Sequence, residues 1–497
     1  MRVNPNIHTI APELVLEILR DECLSTLVSI AQVSSRLYTI LKNNRSIWMN
    51  SPDIHDLPIP VGETLSTIPN SLFLRLAMRA VDIRSRLEAP IATPIRYSKI
   101  SEPGKHLTAF LPSGDWVIAS HCERLWIRNI RRGDLGLDSE PIFVARGKIQ
   151  DIKFESVGFG KAILVFTIND WPSRENSPSE TFILNLSFPS EESPEADPHI
   201  TRVQNYTLPN SFSVVALHGP LLVILDTTLD TTETMSLNRF GIIDYQQGFG
   251  TEFSVDLPSF ADGIGVEGLV PTITRLQLHT ELKKLVIHVV LQNSPGLVRN
   301  RRAILLADIP RITPLVRSNL LMKSRELLWS QEKLKLTHSY LIPGHLVPSL
   351  LDGSNESTLS QYVPIDEFVV DRYGEMASPF DTENMVSVRF DPTRTEDPFR
   401  SFPFILKGDP DDAFYAHFTR EHSAHFGSAG KTENLLDISC FNASCTRRSR
   451  FRIALPHELT GGQMYFMRRV DPSEGRIVLF IFEDEKPRVG SLYLVQY

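Results

Sequence analysis

The residue types best suited to chemistry gather in one stretch that holds His417, His422, His425, Cys440 and Cys445. Histidine and cysteine are zinc ligands, and compact zinc sites draw them from short, regular spacings. Here the order is His-x4-His-x2-His and then Cys-x4-Cys. That fits no compact site, so the residues read as loop histidines and buried thiols, with no metal assigned. Asp409, Asp411 and Asp412 lie just upstream. They lack the register of a calcium loop and read as turn residues. Gly248, Gly250, Gly263, Gly265 and Gly268 fall between strand-like runs. A phosphate cradle needs a helix behind its glycines, and none is expected there. The chain has no G-x-S-x-G and no G-x-x-x-x-G-K-[ST], so neither a nucleophile elbow nor a nucleotide loop is expected. No two carboxylates can be placed on one site. The expectation is a protein that binds without covalent chemistry or a cofactor.

Bulk composition narrows the partners. Over 497 residues the apolar fraction is 42% and the formal net charge is −8. Phosphate recognition needs a concentrated positive field, so a nucleic-acid partner is not expected. There are two basic clusters, Arg299, Arg301 and Arg302, then Arg447, Arg448, Arg450 and Arg452. They read as solvated faces. The longest apolar runs, Leu221 to Leu225 and Leu285 to Leu291, fall far short of the ~20 residues of a membrane helix. Four cysteines are too few for a disulfide framework and fit reduced thiols. The opening from Met1 to Asn6 is no signal peptide. A cytoplasmic or nuclear address follows from these readings.

Three kinds of element must carry any function. Residues 12 to 22 predict a first amphipathic helix. Pro12 suits its first turn, Glu13 favours the positive end of its dipole, and Leu14, Ile18 and Leu19 are expected on one face. A second helix is expected from Ser25 to Lys42, with Leu27, Ile30, Ala31, Leu37 and Leu41 at steps of three and four. Ser46-Ile47-Trp48 then offers one aromatic anchor. A unit of this size sits near the lower limit for folding alone, so a partner is expected to finish it.

This front end resembles an F-box. Ile10-Ala11-Pro12-Glu13-Leu14, followed by Ile18-Leu19, is similar to the family's Leu-Pro-Pro-Glu-Leu and Ile-Leu opening. Leu27, Val33-Ser34-Ser35-Arg36-Leu37-Tyr38 and Ile47-Trp48 occupy its later positions. Ala11 departs from the first proline and Ser34 from a common cysteine. The resemblance covers about 40 residues and implies docking to a Skp-type adaptor and, through it, a cullin. It implies that Pro12, Glu13, Leu14, Ile18, Leu19, Leu27, Val33, Leu37 and Trp48 face the adaptor or support the residues that do.

Residues 8–50 are thus assigned to the F-box and 51–100 to a helical linker. Within the linker one helix is expected from Asn70 to Arg86, capped by Asn70 or Ser71. Leu72, Leu76, Ala80 and Ile83 would face the F-box. Pro90, Pro94 and Pro103 mark the boundary.

From residue 101 to 497, short β-prone runs alternate with loops, which argues for an all-β body. A helical pattern is expected only near Ser324 to Lys333. One strand type recurs as Leu125 to Ile130, Phe182 to Leu186, Phe240 to Tyr245, Ile304 to Ile309, Phe451 to Leu455 and Leu492 to Tyr497. The first four are roughly sixty residues apart. The gap from 309 to 451 leaves room for one more unit, with candidate strands at Glu367 to Val370 and Met385 to Phe390. About four strands per unit is the anatomy of a propeller blade. The strand type resembles the third strand of a WD-repeat blade, although the Trp-Asp pair is missing. Fold class is therefore mainly β with a small all-α N-terminal domain, an F-box three-helix unit plus a β-propeller of about seven blades. A pair of β-sandwiches is the alternative. Loops at 171–180, 189–198 and 350–360 are read as surface insertions.

Function follows from the resemblance: a non-enzymatic receptor of the fungal F-box type, holding an unknown protein substrate for a Skp–cullin–F-box ubiquitin ligase. The alternative is a stand-alone ligand-binding propeller or hydrolase with the helices as a cap.

Overall fold

The computed structural model describes residues 10–497, excepting 102–105, 112–115, 131–139, 170–179, 190–196, 209–211, 227–238, 256–269, 280–281, 293–300, 311–321, 325–326, 343–362, 371–383, 395–397, 406–412, 419–423, 430–434, 442–447, 461–464, 472–473 and 483–489. His422, Cys445, Asp409, Asp411, Asp412, Gly263, Gly265, Gly268, Arg299 and Arg447 lie outside the described residues. So do Met1 to Asn6 and most of the three insertion loops. The molecule is mostly β with a small helical front end.

Five helices open the chain: α1 (Pro12–Ile18), α2 (Leu24–Val33), α3 (Ser35–Asn43), α4 (Arg45–Met49) and α5 (Asn70–Leu87). α1 stops well short of residue 22, because Asp21 turns into the left-handed region at φ 63°. The expected helix from Ser25 to Lys42 is two helices. Ser34 is extended and its hydroxyl accepts the Leu37 N–H. A serine that can cap a new helix competes with continuing the old one. α5 begins behind Pro69 with no side-chain cap, so neither Asn70 nor Ser71 plays the capping part expected.

The helical core holds Val15, Leu19, Leu27, Leu37, Leu41 and Trp48 together with Phe73, Leu74, Ala77 and Ala80 of α5. It therefore runs past Asn50 into the linker. The other end of α5 packs elsewhere: Ile83 and Leu87 join Ile453, Ile477, Leu479 and Val495 of the β body. α5 is a strut with one end in each core.

β1 (Arg96–Ser101) follows the junction. β2 (His106–Phe110), β3 (Trp116–His121), β4 (Arg124–Asn129) and β5 (Phe143–Val144) pair in chain order. So do β6 (Lys148–Gly158), β7 (Lys161–Asn169), β8 (Glu180–Ser187) and β9 (His199–Thr207). The next sheet holds β10 (Phe212–His218), β11 (Leu221–Asp226), β12 (Arg239–Asp244) and β13 (Phe249–Ser254). After β14 (Val270–His279), β15 (Lys284–Gln292) and β16 (Arg301–Asp308), the chain leaves as a hairpin, β17 (Met322–Ser324) and β18 (Leu327–Lys333). It returns as β19 (Leu336–Leu341) to complete the fourth sheet. β18 pairs in parallel with β13 of the sheet before. The expected helix near Ser324 to Lys333 is thus a strand; an open sheet edge outweighs the weak helical pattern.

β20 (Val363–Val370), β21 (Asn384–Phe390) and β22 (Phe399–Ile405) form a fifth sheet. β23 (Ala413–Phe418), β24 (Ala424–Ala429), β25 (Leu435–Phe441) and β26 (Arg448–Ala454) form a sixth. A short helix, α6 (His457–Thr460), precedes β27 (Tyr465–Asp471), β28 (Arg476–Phe482) and β29 (Gly490–Gln496), and β1 completes their sheet beside β29. Among the described residues this makes seven sheets.

The recurring strand type is the third strand, β4, β8, β12, β16 and β29, in five of its six places. Phe451 to Leu455 falls on the fourth strand, β26, instead; the third is Leu435–Phe441. The central strands are buried on both faces. On β11, Leu222 and Ile224 pack toward the second sheet, and Val223 and Leu225 toward the fourth. This is the two-residue period of a strand sandwiched by neighbours, and it explains the continuous apolar run. The last sheet packs on the first through Val478, Leu492 and Leu494 against Val117.

Candidate functional site

α1 is too short to bury more than one stripe. Val15 and Leu19 turn inward, whereas Leu14 is 59% and Ile18 66% exposed. Leu14, Ile18 and Leu19 therefore do not share a face as expected. Val15 and Leu19 are one i,i+4 pair and Leu14 and Ile18 the adjacent one. At the end of α2, Val33 is 69% exposed. Pro12 and Glu13 are exposed too.

The other sequence-predicted residues lie underneath. Leu19, Leu27, Leu37 and Trp48 are all buried. Among the described residues Trp48 is the largest fully buried side chain, and its Nε1–H donates to the Leu41 carbonyl at 2.9 Å. The aromatic anchor expected at this position is thus an internal one. Tyr38 and Met49 are partly exposed beside these helices; Tyr38 stood within the motif, and Met49 carried no signal.

Polar contacts fix this surface. The Arg36 guanidinium donates to the Ile10 carbonyl, tying α3 to the lead into α1. Cys23 heads α2 without capping it; Asp53 supplies the cap, accepting the Leu24 N–H at 2.8 Å. Asp53 also pairs with Arg84 of α5. Hydrogen bonding to Glu88 raises the Arg84 pKa. Arg45 donates to the Ile68 and Leu65 carbonyls with its guanidinium over the Phe73 ring. Ser25 and Thr26 hydroxyls hold the Cys23 thiol below its usual range.

Besides the packing of Ile83 and Leu87 and the pairing of Ala92 with Ile453, polar contacts join the helices and linker to the β body at two points. Arg79 of α5 pairs with Glu474 at 2.5 Å, and Glu474 is fully buried, with Arg476 close by. At the second point the linker crosses the β6–β7 turn. The Glu63 carboxylate accepts the N–H groups of Phe159 and Gly160 at 3.2 and 2.9 Å. Gly62 (φ +83°) could not carry a Cβ, which would lie 2.6 Å from the Gly160 carbonyl carbon.

Elsewhere the displaced titrations belong to packing. Burial pushes the Tyr245 hydroxyl up to about 12, and it donates to the Gly219 carbonyl. Burial lowers the His338 pKa, with Lys284 adding to the effect. His417, His425 and Cys440 lie on strands, not loops, and the register sets His417 opposite His425 and His425 opposite Cys440. Among the described residues no group of three His, Cys, Asp or Glu is placed to hold a metal. Arg301 and Arg302 sit on β16, and Arg448, Arg450 and Arg452 on β26. No helix of the described residues is long and apolar enough to cross a membrane.

No protein-family model and no curated protein matches the chain. Solved structures do. A prolyl endopeptidase is similar at 9% identity and a TM-score of 0.38, over 87% of this chain and 53% of that one. A post-proline cleaving enzyme from Rickettsia typhi follows at 8% and 0.39, over 84% and 53%. The N-terminal domain of Nup159 is similar at 10% and 0.28, over 81% and 94%. The chain spans about half the length of the two peptidases. At such identities and TM-scores these likenesses transfer no activity.

Proposed function

We propose that this chain is a substrate receptor of a Skp–cullin–F-box-type ubiquitin ligase. In this reading α1 to α4 are an F-box that docks a Skp-type adaptor, and the seven sheets are propeller blades that hold the substrate. The chain performs no covalent step. It raises the effective concentration of a substrate lysine beside the carrier enzyme.

One observation carries the reading: Leu14, Ile18 and Val33 stand exposed on helices whose own core is already filled. Burying a large aliphatic side chain is worth about 1.5–3 kcal/mol, which these residues forgo until a partner covers them. They are among the residues that the F-box resemblance expects to face the adaptor or to support those that do, and their exposure suits contact. Leu19, Leu27, Leu37 and Trp48, of the same set, are buried, which suits support. The propeller reading is supported by sheets of consecutive antiparallel strands, with β1 completing the last. Cys23 and Cys122 as free thiols fit a reducing compartment, cytoplasm or nucleus.

The test is co-expression with a Skp-type adaptor. The wild-type chain is expected to co-purify with it. Leu14→Asp/Ile18→Asp is expected to abolish capture with an unchanged melting temperature, because both side chains are exposed. A soluble wild-type chain indifferent to the adaptor would leave the helices as a structural cap and sink the receptor reading.

A further inference from the structure

The two faces of the fourth sheet differ in kind. Opposite residues of antiparallel strands share a face, and each strand alternates between faces. On β15, Leu285, Ile287, Val289 and Leu291 face one way, and they pack with Val223, Phe240 and Phe253 of the third sheet. That seam is also strapped, because the chain between β16 and β19 detours to lay β18 along β13. The other face carries Val286, Ile304 and Leu306, which pack with Val388, Phe390 and Phe399 of the fifth sheet. By register the same face carries Arg275, His279, Lys284, His288, Asp308 and His338. Three histidines and two cations thus share one seam with one carboxylate.

His338 lies opposite Leu306, among the aromatic rings of this seam. Its ring meets Phe390 edge-on at 4.9 Å and Phe399 at 6.2 Å, and Tyr340 stacks on Phe399 at 5.1 Å. A proton added to its buried Nδ1 would find no acceptor in place. His279 is buried, and its Nδ1 accepts the Leu282 N–H at 3.3 Å, which it does only without a proton there. Lys284 reaches Asp308 at 2.5 Å, but Asp308 is mostly exposed and lies at the edge of the seam. Among the described side chains of the fifth sheet, the charged Asp391 and Arg394 pair with each other at 3.4 Å.

We infer that the seam between the fourth and fifth sheets is a pH-sensitive joint, closed near neutrality and opened by mild acid through protonation of its histidines. The apolar, strapped seam between the third and fourth sheets stays shut. The sign follows from His338, whose pKa is lowered by burial and by Lys284, with Asp308 opposing. Above its ordinary value of 6.5 the ring is neutral whether the seam is open or closed, and closure is at its tightest. As pH falls below that value, the open seam takes up a proton that the closed one refuses. Closure weakens until the pH passes the lower closed-state value. One histidine freed to its ordinary value weights opening by up to about tenfold at pH 5.5.

The experiment reads burial on each seam of the full chain with a cysteine probe. Val388→Cys reports the fifth-sheet side of the joint, and Ile287→Cys reports the opposite face of the fourth sheet. Each is labelled with dithiodipyridine at pH 7.5 and 5.5. Mass spectrometry assigns the site, and each rate is divided by that of the urea-unfolded chain at the same pH. The relative rate at Val388→Cys is expected to rise about tenfold in acid, with Ile287→Cys unchanged. Adding His338→Gln is expected to cut the rise to under about twofold, whereas His199→Gln, an exposed histidine on β9, leaves it whole. Ile342→Cys, in the same seam, replaces Val388→Cys if that variant does not fold. No acid response, an equal rise on both seams, or a full rise in His338→Gln overturns the inference. None of these outcomes bears on adaptor docking, so the receptor reading stands or falls separately.

Discussion

Leu14 and Val15 are neighbours of similar chemistry with opposite fates, and the difference is one of rotation by a single helical position. Spacing announced that α1 is amphipathic, but seven residues hold two overlapping apolar stripes. Only the seat of α1 on the shared helical core chooses between them. Trp48 shows the same limit, since a large aromatic residue fits an interface or a core equally well by type. Its indole N–H settles the matter by finding the Leu41 carbonyl inside. At this scale His338 yields a prediction. It packs edge-on to Phe390 at 4.9 Å, and its Nδ1 is buried with no hydrogen-bond partner. Burial and Lys284 lower its pKa below 6.5, with Asp308 opposing. Below the ordinary value the unfolded chain takes up a proton that the folded protein refuses. Stability is therefore full above about pH 6.5 and is lost as pH falls through the lower folded pKa. Urea unfolding at pH 7.5 and 5.5 is expected to show a smaller acid loss for His338→Gln than for wild type. Equal losses would show that His338 does not contribute.

Among the elements, α5 was the easiest to read and the most important to place. Its apolar residues repeat regularly from Leu72 to Ile83 within a helix of eighteen residues, long enough for periodicity to be unambiguous. What the run did not reveal is that the two halves serve different cores. The break at Ser34 was hidden because the apolar steps continue on both sides of it. The strand at Leu327–Lys333 was hidden because β13, its partner, lies some eighty residues earlier in the chain. The attachment of α5 is itself testable. Glu474 is fully buried while Arg79 is a third exposed, so removing Arg79 takes a paired cation away from a carboxylate in the interior. Arg79→Ala is expected to cost on the order of 3 kcal/mol in urea unfolding. Arg86→Ala, which loses an exposed i,i+4 partner in Asp82, is expected to cost under about 0.5 kcal/mol. If the two variants unfold alike, the buried pair does not hold the strut.

Over the whole molecule, the third-strand repeat is legible because those strands lie inside their sheets and bury most of their apolar residues. First and fourth strands are more mixed in pattern; Phe451 to Leu455 matches the repeat from a fourth strand because Phe451, Ile453 and Leu455 are all buried. Least legible was the closing of the chain on itself. β1 pairs with β29 from Arg96 opposite Gln496 to Ser101 opposite Leu492; no local signal spans four hundred residues. The consequence concerns cooperativity. The last sheet needs β1 to cover its outer strand, and that sheet also receives Ile83 and Leu87 of α5 and packs on Val117 of the first sheet. Helical unit, first sheet and last sheet then share one stability. Segments that open together exchange their amides at a common free energy. In native-state hydrogen exchange the amides of Arg96–Ser101 are expected to reach the same protection as those of Arg476–Phe482, and Arg79→Ala should lower both by the same amount. Rapid exchange at Arg96–Ser101 beside a protected β28 would mean that β1 is an ornament on a sheet already complete. The helices would then be tethered to the body through α5, the linker's contacts with the β6–β7 hairpin and the pairing of Ala92 with β26.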